Sequence, residues 1–250
     1  MPDQGSTRPS TPLPTGIPEG ALDIWIADLG AVGDDVPQLL SAAERARSES
    51  ILGELTRRRW VAARALLRRL LGGYLQRDPG SLLFSQGPYG KPALREGAGA
   101  VGRAPAHGRV ASDGLSFNVS HSGDLAVYAF TRSGSVGVDV EVAARRPRDP
   151  IALASRAFGP VEEARLRSLS PAARESEFLR AWTRREARLK CDGRGLGGAG
   201  RLPEAGPNLW VGQLDVGPHA AAAVAAERAP RELRRLVAAV APGDRGRAGG

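Results

Sequence analysis

The sequence predicts a mixed helix-and-strand fold in two halves that repeat one order of elements: strand, helices, strands. Three observations carry this expectation. Alternating or β-branched runs, ALDIWIADL near the start and VGVDVEV from Val136, read as the strands that open each half. Stretches with apolar residues three and four apart follow them as helices. Further short apolar runs after the helices supply the closing strands.

Taken in order, Ala21–Leu29 alternates and forms the first strand. Leu39 to Leu75 reads as helix in two pieces. In the second, Arg57–Leu75, the apolar residues Trp60, Ala63, Leu66, Leu67, Leu70 and Leu71 recur at helical spacing. Leu82–Phe84 is a short strand leading into Gln86–Pro92, a turn that presents Lys91. Arg95–Gly114, full of Gly, Ala and Pro, reads as a flexible loop. Ser120-His121-Ser122-Gly123 reads as a turn between two apolar runs, the second being a strand over Asp124–Phe130. Arg145–Pro150 is a linker. Helices follow across Ile151–Phe158, Val161–Ser168 and Pro171–Cys191, the last stopped by the glycine at 193. Strands are expected around Leu209–Asp215 and Ala220–Ala226, then a short basic helix at Arg231–Val240. Residues 1–20 and 242–250 have the composition of disordered tails.

The formal net charge of +8 and pI of about 10.8 attract polyanions: nucleic acid, a phosphorylated cofactor or an acidic partner protein. Of 35 basic residues only Lys91 and Lys190 are lysines, the rest arginines. In an arginine-rich chain, a lysine marks a place where a compact, rotatable ammonium is wanted. Between Ser41 and Leu70 there are eight arginines against three glutamates, either a solvated basic face or a phosphate-binding surface. No apolar run approaches the roughly 20 residues needed to span a bilayer, and no signal peptide opens the chain. The one cysteine, Cys191, excludes an internal disulfide and reads as a structural thiol. These features lead us to expect a cytoplasmic protein with no membrane association.

The chemistry concentrates in Phe117–Glu141, FNVSHSGDLAVYAFTRSGSVGVDVE. Side chains two apart on a strand share a face, so Val138, Val140 and Val142 face one way, and Asp139 and Glu141 the other. Two adjacent carboxylates repel unless a cation sits between them, and a divalent metal is the usual one. Asn118, Ser120, His121 and Ser122 offer short donors suited to an oxyanion such as phosphate. No Ser-His-Asp triad is implied, because neighbours in a tight turn rarely meet in triad geometry. On the helix Pro171–Cys191, Glu186 and Lys190 are four apart and share a face. Alone they are a surface ion pair; with Asp139 and Glu141 they describe a metal-assisted phosphoryl-transfer site.

Gly90-Lys91-Pro92, FNVSHSG (Phe117–Gly123), GVDVE (Gly137–Glu141) and WTRREARLK (Trp182–Lys190) occur in that order. In this ordered set the chain resembles the 4'-phosphopantetheinyl transferases of the surfactin-synthetase-activating (Sfp) type. The likeness reaches from Arg57–Leu71 to Gly193–Leu196. It implies an α+β fold of two similar subdomains related by a pseudo-twofold axis, here 21–133 and 134–241, with the active site in their cleft. It further implies that Asp139, Glu141 and Glu186 hold Mg2+ on the pyrophosphate of coenzyme A. Lys190 would contact the phosphates and stabilise the departing 3',5'-ADP. Arg64, Lys91, Ser120 and His121 would bind the coenzyme A nucleotide. Arg185 stands where the family usually has lysine, keeping the charge in a larger, forked group on the cofactor-binding side.

The activity so implied is transfer of 4'-phosphopantetheine to a serine of an acidic apo acyl or peptidyl carrier protein. Glu186 is the candidate base and Glu141 the competitor. An internal pseudo-dimer leads us to expect a monomer that binds no nucleic acid. Two rival readings stand beside it, a metal-dependent nuclease and a nucleic-acid-binding module. Nuclease sites usually place Glu and Lys two apart on a strand, whereas here they are four apart on a helix. A binding module leaves the clustered carboxylates unexplained.

Overall fold

The computed structural model describes residues 12–31, 36–86, 92–94, 114–145, 149–193 and 209–238. Its elements run β1 (Ala21–Asp28), α1 (Ala42–Glu49), α2 (Glu54–Leu75), β2 (Phe84–Gln86), β3 (Pro92–Leu94), β4 (Ser116–Ser122), β5 (Leu125–Thr131) and β6 (Val136–Val142). Then follow α3 (Pro150–Phe158), α4 (Pro160–Arg167), α5 (Pro171–Asp192), β7 (Trp210–Leu214), β8 (Ala220–Ala226) and β9 (Glu232–Ala238). This is the expected mixture of helix and sheet.

Helix starts follow local chemistry. The Ser41 hydroxyl accepts from the Glu44 amide while the Glu44 carboxylate accepts from the Ser41 amide, a reciprocal cap that opens α1. Ser170 caps α5 and Pro171 begins it, and Gly193 closes it in a left-handed conformation (φ 71°).

Two main sheets form, in strand orders β4-β5-β1-β9 and β6-β8-β7. In each, the first strand of the half pairs antiparallel with a strand that follows the long helix, β1 with β5 and β6 with β8. That strand then pairs with its predecessor, β5 with β4 and β8 with β7. The chain thus repeats one connectivity, to which β9 adds a parallel strand beside β1.

Alternation along the strands stacks four layers. Trp25, Tyr128, Phe117 and Phe130 turn toward Leu66, Leu67, Leu70 and Leu71 of α2. Leu22, Ile24, Val127 and Ala129, on the opposite face, meet Val136, Val138, Val140 and Val224 of the second sheet. The far face of that sheet, with Ala223 and Ala225, carries Ala187 and Cys191 of α5. Full burial of each Val, Leu or Phe contributes roughly 1.5–3 kcal/mol. Gly137 sets how closely α5 settles on β6: a Cβ there would strike the backbone of Ala187 and Cys191.

Three expectations are corrected. The segment read as a basic helix at Arg231–Val240 forms β9 over its described part, pairing in parallel with β1 in a register that puts Arg234 opposite buried Asp23. Ser120, His121 and Ser122 lie on β4, with the turn at Gly123-Asp124, because Ser122 is still paired with Leu125. Of the tail expected to be disordered over 1–20, residues 12–20 are ordered: Ile17 packs on the core and Pro14 lies against Gly73. Lys91, most of the loop 95–114, and residues 242–250 lie outside the described residues.

Candidate active site

The site forms where the ends of β4 and β6 meet α5. Side chains of β4 reach across to β6: Asn118 Oδ1 accepts from the Val138 amide at 2.9 Å, and the Ser122 hydroxyl accepts from the Val142 amide at 3.2 Å. Bridging two sheet edges by side chains satisfies backbone groups that would otherwise be buried without partners. It also fixes the height of Ser120 relative to Asp139.

Asp139 is buried, with 5% of its surface exposed. Its Oδ1 accepts from the Ser120 hydroxyl at 2.9 Å and from Lys190 Nζ at 2.7 Å, and the same ammonium donates to Ser120 Oγ at 2.9 Å. Its Oδ2 is buried with no hydrogen-bond partner among the described residues. Such an orphan carboxylate oxygen costs about 1–3 kcal/mol or more, unless something else satisfies it.

Glu186, on the face of α5 that lies on the sheet, is also buried. Burial and then the neighbouring Asp139 charge push its carboxyl above the usual range, while Arg185 and Lys190 pull it back. Arg185 Nη1 donates to Glu186 Oε1 at 2.9 Å, and its guanidinium lies 5.8 Å from the centre of the Trp182 ring. Lys190 therefore pairs with Asp139 across the sheet; the i,i+4 partner suggested by sequence, Glu186, takes Arg185 instead.

Glu141 is half-buried at the end of β6, where the Ser122 hydroxyl donates to its Oε2 at 2.8 Å. His121 is exposed on the opposite face of β4 from Ser120 and Ser122. Arg64 lies apart from these carboxylates in the described contacts. It sits between the rings of Trp60 (5.5 Å) and Phe84 (5.0 Å), with its Nε 3.6 Å from Glu44 Oε1. Burial pushes its guanidinium below the usual value despite Glu44. Arg64 Nη1 and Glu44 Oε1 both lack hydrogen-bond partners among the described residues. Sequence reasoning missed Glu44 and the Trp60–Phe84 clamp; the available signal was the Ser-x-x-Glu cap at Ser41.

A hard divalent cation suits what is here. Asp139 and Glu186 bring two buried carboxylates together, and Asp139 Oδ2 has no donor among the described residues. Oxygen-only ligands of this kind match Mg2+ better than a softer metal. The third carboxylate is held by Ser122, and among the described residues no three His, Cys, Asp or Glu side chains are already gathered around one point. Cys191 takes no part: it is buried and donates to the Ser135 carbonyl at 3.4 Å.

Comparison with known proteins bears on the same residues. Residues 135–233 match the model of the 4'-phosphopantetheinyl transferase superfamily, a stretch that contains Asp139, Glu141, Glu186 and Lys190. The chain is 38% identical over 162 residues to the 4'-phosphopantetheinyl transferase HetI of Nostoc sp., covering 65% of this chain and 63% of the relative. It is 35% identical over 160 residues to the putative 4'-phosphopantetheinyl transferase slr0495 of Synechocystis sp., covering 64% and 59%. It is 35% identical over 132 residues to the 4'-phosphopantetheinyl transferase AcpT of Salmonella typhimurium, covering 52% and 56%. In each case the match spans less than two thirds of the relative's length. Residues 135–233 are thus similar to the 4'-phosphopantetheinyl transferase superfamily.

Proposed function

We propose that this protein transfers the 4'-phosphopantetheine of coenzyme A to a serine of an apo acyl or peptidyl carrier protein, releasing 3',5'-ADP, as a surfactin-type member of its superfamily. One observation carries the proposal. Within the matched segment, Asp139, Glu186 and Lys190 converge with Ser120, and the buried Asp139 Oδ2 has no partner among the described residues. A purely structural ion pair would have no reason to leave that oxygen bare.

Mg2+ held by Asp139, Glu186 and Glu141 would neutralise charge on the coenzyme A pyrophosphate. The carrier serine oxygen attacks the phosphorus bearing the pantetheine, the bond from that phosphorus to the 3',5'-ADP oxygen breaks, and the serine proton passes to a protein base. Glu186 suits that base, because burial and Asp139 raise its affinity for a proton; Glu141 is the competitor. Lys190 offsets the charge that develops on the leaving phosphate. Arg64, Lys91, Ser120, His121 and Arg185 are assigned to the nucleotide and phosphates of coenzyme A. We place the two subdomains at 21–133 and 134–241, with β9 of the second returning to pair with β1 of the first, related by a pseudo-twofold axis with the site between them. Among the described residues no helix is long and apolar enough to cross a membrane. We place the protein in the cytoplasm as a monomer with an acidic carrier as partner.

The test is mass spectrometry of several apo carrier proteins incubated with coenzyme A and this protein, with and without Mg2+. Gain of one phosphopantetheine, dependent on Mg2+, is expected. No gain on any carrier, alongside Mg2+-dependent cleavage of DNA, would replace the transferase with a nuclease.

A further inference from the structure

We infer that Ser122 is a positioning residue of the candidate metal site, its hydroxyl holding the Glu141 carboxylate in place for the divalent cation. The inference rests on the transferase reading above and adds a residue to which that reading gives no part.

The polarity of the Ser122 hydroxyl is set by its two neighbours. The Val142 N–H, 3.2 Å from Ser122 Oγ, can only donate, so the serine oxygen accepts there. The hydroxyl's one proton goes to Glu141 Oε2 at 2.8 Å, and an ionised carboxylate can only accept. The backbone that carries this hydroxyl is held from both sides. Ser122 is 1% exposed and closes the β4–β5 ladder opposite Leu125. Gly123 turns the chain immediately after it with a φ of 60°, and Arg59 grips the next residue, Asp124, through two bonds of 2.8 Å.

Glu141 is the longer and more exposed partner. It stands one residue from the end of β6, half-buried, on a side chain with three rotatable bonds. Fixing such a side chain before its ligand arrives removes an ordering cost that binding would otherwise carry. A carboxylate has about four acceptor positions on its two oxygens, so one hydroxyl bond does not exhaust it. The same device recurs one pleat back, where the Ser120 hydroxyl donates to Asp139 Oδ1 at 2.9 Å. Serines two apart on β4 thus meet carboxylates two apart on β6, although the two strands belong to different sheets. Asn118 shows what joining the strands requires: its Oδ1 takes the Val138 amide. Ser122 does as much for Val142, and the proton it gives to Glu141 is additional to that task. A group that orients a metal ligand acts in this way, through the ligand and without touching the metal.

The test is a double-mutant cycle between Ser122→Ala and Glu141→Ala. Its readout is the Mg2+ affinity of the coenzyme A-bound protein, measured by calorimetry with no carrier present. Ser122→Ala alone is expected to weaken Mg2+ binding about 10–100-fold, the usual range for losing a group that orients a ligand. Ser122→Thr, which keeps the hydroxyl, is expected to recover most of that loss. In the Glu141→Ala background, Ser122→Ala should change the affinity by less than about twofold, because the carboxylate it acts through is gone. A role in joining the strands alone would lower the affinity by the same factor in both backgrounds, and that result would overturn the inference. So would a parent-background loss below about threefold. If Ser122→Ala does not fold, Ser122→Cys, similar in size with a weaker donor, enters the same cycle under the same expectations. Modification of apo carriers by the parent protein is measured alongside. Modification without coupling in the cycle would remove Ser122 and leave the transferase standing. Coupling without modification would end the transferase reading and leave Ser122 orienting a metal ligand for other chemistry. A parent protein that takes up no Mg2+ beside coenzyme A would overturn both.

Discussion

Two buried aspartates on neighbouring sheets have opposite surroundings. Asp23 on β1 is fully buried, and both its oxygens are taken. Arg234 on β9 donates to Oδ1 and Oδ2 at 2.6 Å each, and the Tyr74 hydroxyl donates to Oδ2 while itself accepting from Trp25 Nε1 at 2.8 Å. Asp139 on β6 is also buried, yet among the described residues only its Oδ1 has partners. A buried charge is tolerated when it is paired and hydrogen-bonded. Asp23 meets that condition within the chain and clamps the last strand to the first. Asp139 meets it halfway, and beside it Glu186 adds a second buried anion. The first arrangement serves stability; under the proposed function the second would be completed by a ligand, with stability given up at the site.

The sharpest way to break this contrast is Glu186→Gln. It is expected to reduce phosphopantetheine transfer by about 10²–10⁴-fold, the usual range for losing an acid–base group. Because it removes a buried charge, the metal-free protein should melt no lower than the parent. A large drop in melting temperature would make Glu186 a structural residue instead. Next in size is Asp23→Ala, which strands Arg234 and unties β9. Its expected cost is about 3–5 kcal/mol of stability by denaturant titration, with activity retained in the folded fraction. A loss below about 1 kcal/mol would show that the clamp contributes little.

Tyr74→Phe probes the same clamp more gently, at about 1–2 kcal/mol for one buried hydrogen bond. It also carries a pH signature. Burial first, then the bond to Asp23, holds the Tyr74 phenol well above its ordinary range. Its proton is thus bound more tightly in the folded state. That stability is fully present below the unfolded phenol value near 10 and is lost as pH rises toward the folded one. Tyr74→Phe should therefore lose less stability than the parent between about pH 9 and 11, with buried Tyr128 sustaining the remaining slope. Parallel alkaline profiles would contradict the assignment.

Much of this was legible in the sequence where the signals are local. β6 announces itself by alternation, and α5 by Ser170, Pro171 and Gly193 at its ends. The carboxylates and Lys190 were found because strand and helix spacing put them on shared faces. What was not legible depends on distant partners. ELRRLVA has the Leu, Arg and Ala content of a helix but forms β9 by pairing with β1, where Arg234 meets Asp23, 211 residues away. Four-residue spacing paired Lys190 with Glu186, whereas its observed partner Asp139 comes from another layer, 51 residues away in sequence. The Ser-His-Ser run looked like a turn beginning three residues too early, because pairing with β5 carries the strand on to Ser122. Glu44 under Arg64 follows from packing of α1 on α2, which no local pattern states.

The difference between the two aspartates is tested most directly by melting the parent protein and Asp139→Asn with and without Mg2+ plus coenzyme A together. A ligand present at about 100 times its Kd adds about 2.7 kcal/mol. At about 2–4 °C per kcal/mol for a chain of this size, the parent should gain roughly 5–10 °C. Asp139→Asn should melt at or above the parent without ligands and gain little when they are added. Equal gains in both proteins would show that Asp139 waits for no cation, and would contradict the account.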